Sequence, residues 1–127
     1  MSPPESVVLA FIADYKQWSV HASETLRRNP SPETMEQADA DYALLLAGYC
    51  PPGVKRLAAA VSSPSSHDPE RERVVSVTTE GGRSVVSTEI LESGYTDKYE
   101  YSLLQSGGGW LIEGIDYLDE EGKWPHL

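Results

Sequence analysis

Cysteine is nearly missing from this chain. Cys50 is the only one among 127 residues, which excludes an internal disulfide and a cysteine metal cage, and fits a reducing compartment. Phenylalanine occurs once, against seven Tyr and three Trp. That bias suits a sheet with many half-buried positions, because Tyr and Trp bury a ring while keeping a polar edge wet. Basic residues are scarce: ten Lys and Arg stand against twenty Asp and Glu, a formal net charge of −10. Nucleic acids and anionic membranes are gripped by clustered Lys and Arg, so both are disfavoured as partners. Long apolar runs are missing too, none approaching the ~20 residues that cross a bilayer. Met1-Ser2-Pro3-Pro4-Glu5 has no basic region ahead of an apolar stretch. The expected location is therefore the cytoplasm.

The length is near the commonest for one domain, and a single domain over residues 1–127 is expected. Its acids are unevenly placed. Residues 29–50 hold four acids and no base, and residues 84–127 hold nine acids against Lys98 and Lys123. Such a field attracts a basic partner. Solubility alone explains it equally well.

Ser2-Pro3-Pro4-Glu5 reads as a helix start with a capping box. Val7, Val8, Phe11, Ile12, Tyr15 and Trp18 recur at helical spacing, and Asn29-Pro30 ends the run after Arg28. Ser31-Pro32-Glu33 opens a second helix, with Met35, Ala38, Tyr42, Leu45, Leu46 and Tyr49 on its buried side. Gly48 and Pro51-Pro52-Gly53 stop it. Residues 54–61 allow a short third helix, and Ser62 to Pro69 reads as a polar loop. From Glu72 the period becomes alternating, predicting strands over Val74–Thr79, Arg83–Leu91, Lys98–Gln105 and Trp110–Leu118. Gly81-Gly82 and Gly107-Gly108-Gly109 join them as hairpins, Ser93-Gly94 makes the remaining bend, and Asp119-Glu120-Glu121-Gly122 turns the chain out of the last strand. Helices first and a meander second give an α+β class, with N-terminal helices packed in a curved, cone-shaped antiparallel sheet of about four strands.

Catalytic patterns are weak. Ser66-His67-Asp68 carries the letters of a hydrolytic triad, but adjacent side chains diverge, so a capped loop is the better reading. His21, His67 and His126 have no ligand spacing, and consecutive Asp119, Glu120 and Glu121 lack the pattern of a calcium loop. No metal and no cofactor are expected. Gly107-Gly108-Gly109 lies between strands, whereas a phosphate cradle leads into a helix. An enzyme would need titratable groups in a pocket. Asp14, Tyr15, Asp41, Tyr42, Glu89, Tyr99, Tyr101 and Asp116 are the candidates, Tyr15, Tyr42 and Asp116 foremost, with Asp116 inside if Trp110, Ile112, Gly114 and Leu118 face the interior. The opposite face of that strand, with Leu111, Glu113, Ile115 and Tyr117, is no less apolar.

Ser63-Pro64-Ser65-Ser66-His67-Asp68-Pro69-Glu70, Tyr99-Glu100-Tyr101-Ser102-Leu103, Gly109-Trp110-Leu111-Ile112 and Tyr117-Leu118-Asp119-Glu120-Glu121-Gly122-Lys123-Trp124 carry a resemblance. With them the chain resembles immunity proteins of nuclear-transport-factor-2-like fold, encoded beside bacterial polymorphic toxins of Rhs and contact-dependent systems. The resemblance implies a cone of helices against a bent sheet. It also implies a non-catalytic protein that binds and neutralises a cognate toxin domain, with no cofactor. A nuclease with a basic groove would suit the acidic field. Glu36, Asp39 and Asp41 form one candidate interface patch. Asp97, Glu100, Asp119, Glu120 and Glu121 form the other. The same superfold hosts isomerases and dehydratases, so a small-molecule enzyme or carrier using the cone is the alternative. A homodimer paired through the sheet face is a further one.

Overall fold

The computed structural model describes residues 2–62, 65–92 and 94–127; Met1, Ser63, Pro64 and Ser93 of the segments quoted above lie outside them. Helix α1 runs Pro4–Arg28. Val8, Phe11, Ile12, Tyr15, Trp18 and Ala22 are buried along one stripe, as their spacing predicts. The capping box does not form. Pro3 is the N-cap and offers no side-chain bond; its carbonyl accepts from Ser6 N–H at 3.0 Å instead. Helix α2 spans Pro32–Ala47, and here the Ser31 hydroxyl does accept from Thr34 N–H, at 3.2 Å. Trp18 Nε1 donates to the Ala38 carbonyl at 3.0 Å, and the Trp18 and Tyr42 rings lie 4.9 Å apart. These contacts lock α2 onto α1.

Residues 54–61 form no third helix. Their backbone groups find tertiary partners instead. Ala59 N–H donates to Asp39 at 2.9 Å, and Leu57 N–H donates to the Leu127 carbonyl at 2.7 Å. Arg56 meets Asp39 with two parallel bonds of 2.9 and 3.0 Å.

The sheet has five antiparallel strands in sequence order: β1 Glu72–Glu80, β2 Arg83–Glu92, β3 Tyr95–Ser106, β4 Gly109–Asp119 and β5 Gly122–Pro125. Four were expected. The fifth arises because Asp119 accepts from Glu121 N–H and Gly122 N–H, at 2.8 and 3.0 Å, folding the chain straight back along β4. Gly107 and Gly108 both take positive φ, +57° and +83°, which the two-residue turn between Ser106 and Gly109 requires.

Helix α1 packs on one face of the sheet. Cross-strand rows build that inner face: Val86, Tyr101 and Ile115 form one, Thr88, Tyr99 and Tyr117 the next. In β4 neither simple alternation holds. Ser102 pairs with Gly114 but Leu103 pairs with Ile112, so Glu113 is an extra residue in a bulge. Trp110 and Ile112 are buried before it and Ile115 after it. The bulge turns Asp116 to the outer face, opposite Glu100 and Pro125. Asp116 is therefore not the interior carboxylate that an unbroken alternation would make it.

Candidate functional site

A loop of turn-forming residues delivers the molecule's most unusual side chains. Asp68 accepts from Glu70 N–H at 2.9 Å, and its carbonyl accepts from Arg71 and Glu72 N–H at 3.0 and 2.8 Å. Lys16 of α1 pins the Asp68 carboxylate at 2.9 Å. This reversal brings His67 and Glu72, five residues apart, together beneath α1. Both side chains are sealed from solvent, at 1% and 0% exposure.

Glu72 is the hub. It accepts from His67 Nδ1 at 2.5 Å, from the Thr88 hydroxyl at 2.6 Å and from the Tyr101 hydroxyl at 2.6 Å. A carboxylate has only acceptors, so Nδ1 carries the proton of the His67 bond. That proton also points near the Tyr101 oxygen, 3.1 Å away. Burial by itself would raise the Glu72 carboxyl. The hydrogen bonds from His67, Thr88 and Tyr101, with the attraction of His67, outweigh it and hold the group below its ordinary value. Tyr101, buried against that charge, is raised well above the usual phenol range. Tyr15 is also raised by burial, partly offset by a hydrogen bond from Ser66.

Aromatic rings close the cluster. Tyr15, Tyr99 and His126 have ring centroids 4.7, 4.9 and 5.1 Å from His67. Burial and the neighbouring His67 push the His126 imidazole down to about 4. His67 Nε2 is buried with no hydrogen-bond partner among the described residues. Five of the best-formed surface cavities are lined by other residues. A His–Glu pair is the equipment of a general base, but here it is packed in, and its bonds tie the 65–72 loop to β2 and β3.

The expected site residues scatter. Tyr15 reaches the cluster, whereas Tyr42 lies on the α1–α2 seam with Arg56 over its ring at 5.7 Å. Asp116 lines a shallow groove of about 290 Å³ with Lys55, Arg56 and Leu57. Of the helix-two patch, Glu36 is exposed, Asp41 accepts from Gln37 at 2.9 Å, and Asp39 is bound by Arg56 and Ala59. Those bonds hold the Asp39 carboxyl down at about 2. In the second patch, Glu100 pairs with Lys123 on the outer face at 2.6 Å. Asp97 and Asp119 lie in the rows of the inner face, and Glu120 and Glu121 are exposed in the last turn.

His67 and Glu72 were not foreseen as a pair. The signal that finds them is an acidic turn, Asp68-Pro69, placed between a histidine and a strand-initial glutamate. Such a turn reverses the chain and makes neighbours of residues that a strand would separate. No protein-family model, curated protein or solved structure matches the chain. No helix among the described residues is long and apolar enough to cross a membrane.

Proposed function

We propose that the protein acts by binding another protein, as an immunity protein that neutralises a cognate bacterial toxin domain in the cytoplasm. The observation that carries this reading is the filled interior. An enzyme or carrier of nuclear-transport-factor-2-like fold would need an open cone. Here the space is taken by Phe11, Tyr15, Tyr99, Tyr101 and the sealed His67–Glu72 pair. The resemblance of residues 62–127 supplies the class of partner, and the net charge of −10 favours a basic one. The test is co-expression with the toxin encoded next to the gene. Rescue of growth and co-purification of the toxin are expected. Failure to bind or neutralise any neighbouring toxin sinks the proposal.

One atom favours a second reading. Among the described residues His67 Nε2 has no hydrogen-bond partner, and a ligand in an opened interior would use it. That reading requires His126→Ala to open a site in which imidazole or phenol raises the melting temperature. An unchanged melting temperature at millimolar ligand excludes it.

A further inference from the structure

The acids of the sheet fall into two groups. On β2, β3 and β4 the glutamates have cations: Glu89 meets Arg73 at 2.8 Å, Glu92 meets Arg71 at 2.5 Å, Glu100 meets Lys123 at 2.6 Å, and Glu113 meets Arg83 at 2.6 Å. At the end of the sheet where β3 begins and β4 turns into β5, Arg71 answers Glu92 opposite Tyr95, but four other carboxylates have no ion pair among the described residues. Among the described residues, Asp97 and Asp119 accept only neutral donors. Asp97 takes the Tyr117 hydroxyl at 3.0 Å, and Asp119 takes two backbone amides and Trp124 Nε1 at 2.9 Å. Glu120 and Glu121 add two exposed charges between them.

The same end exposes aromatic rings. Tyr95 is 61% and Trp124 48% exposed, while the other tryptophans, Trp18 and Trp110, are buried. The strand register places these rings beside the charges. Trp124 pairs with Tyr117, Tyr117 with Tyr99, and Tyr95 lies two residues before Asp97 on the same face of β3. Aromatic faces attract cations, and carboxylates at the ring edge add to that attraction. Exposed Tyr and Trp are also the side chains that most often carry interface energy.

We propose that this end of the sheet is a docking platform for a basic protein segment, with Tyr95 and Trp124 receiving Lys or Arg side chains and Asp97 and Asp119 neutralising them. The proposal rests on the binding reading above and names its surface. The occupant is argued from charge: four unanswered carboxylates beside two exposed rings fit a cationic loop and repel a nucleic acid backbone. The paired outer face has no such excess.

Two probes separate the platform from the toxin reading. The first is the toxin encoded by the neighbouring gene, titrated against wild type, Tyr95→Ala and Trp124→Ala, with Tyr95→Phe and Trp124→Phe as ring-conserving controls. The second is a tetra-arginine peptide, read by acrylamide quenching of tryptophan fluorescence, which in this protein reports mainly Trp124. The expected result is toxin binding weakened about 10–30-fold by each alanine, retained by each phenylalanine, and weakened by salt. The peptide is expected to shield Trp124 in wild type and less so in Tyr95→Ala. Toxin bound equally by wild type and folded alanine variants overturns the platform and leaves the immunity reading standing. Peptide shielding without binding of any neighbouring toxin keeps the platform and overturns the immunity reading. Neither toxin binding nor shielding overturns both. Circular dichroism confirms that each variant is folded, and Tyr95→Lys, which changes only an exposed position, repeats the test if Trp124→Ala disturbs β5.

Discussion

Replacing Glu72 with leucine removes the acceptor that three buried donors share. His67 Nδ1–H, the Thr88 hydroxyl and the Tyr101 hydroxyl all lose that acceptor, and only the imidazole proton has a substitute, the Tyr101 oxygen 3.1 Å away. A buried donor left unpaired costs about 1–3 kcal/mol, and a broken buried ion pair about 3–5 kcal/mol. With His67 rescued in part, the expected loss is about 3–5 kcal/mol. That is a large share of the roughly 5–15 kcal/mol that holds a domain together. In urea, with a slope of roughly 1–3 kcal/mol/M, the midpoint drops by about 2 M. The double variant His67→Phe, Glu72→Leu removes donor and acceptor together, and its cost falls well below the sum of the two singles. Acidification gives an independent arm. The folded Glu72 carboxyl is held below its ordinary value, so its contribution is complete above the unfolded carboxylate value near 4.3. It is lost as pH falls through the lower folded value, and Glu72→Leu lacks that limb. A Glu72→Leu protein within about 1 kcal/mol of wild type at unchanged slope, or strict additivity in the double variant, refutes the cluster as an organiser of the fold.

Other predictions follow from the same structure. His126 is held near 4, so between about 6.5 and 4 the unfolded chain binds a proton that the folded one refuses. Urea midpoints should therefore fall as pH drops through that window, and His126→Phe should flatten the slope. Asp39→Ala frees the Arg56 fork and the Ala59 amide; hydrogen exchange at Ala59 should speed up while global stability falls by only about 1 kcal/mol, since the pair is partly solvated. Burial pushes the Cys50 thiol from 9.0 up to about 11. At pH 8 its thiolate fraction is then about a hundredfold below that of an ordinary cysteine, so alkylation should be negligible in buffer and rapid in urea.

The helices could be read from the chain because Val8, Phe11, Tyr15, Trp18 and Ala22 repeat with the helical period and nothing interrupts them. The strands of the meander could be read from alternation and glycine turns, to within a few residues at each end. Three features were hidden for physical reasons. The segment 54–60 has helix-compatible residues, but Asp39 and Leu127 offer its amides better partners from elsewhere in the fold. Strand β5 is only four residues long and Gly122-Lys123-Trp124-Pro125 has no strand pattern, so its pairing is decided by the Asp119 turn. The His67–Glu72 pair was masked because loops of Ser, Asp and Pro are normally at the surface. Burial of that loop's histidine depends on α1 above it and on Tyr99 and Tyr101 from a distant strand, which no local window contains. Asp116 shows the same limit in reverse, since one bulge cancels an otherwise sound alternation.

That bulge at Glu113 makes β4 two short strands of opposite parity sharing one backbone. Deleting Glu113 would remove the extra residue and let Gly114 follow Ile112 in one unbroken alternation, with Ile115 and Tyr117 still inward and Asp116 still outward. A deletion elsewhere in β4 is the frame change, because it turns the residues on one side of it to the opposite face. In any comparison of this chain with others, position 113 is where a gap leaves the facing of every later residue intact.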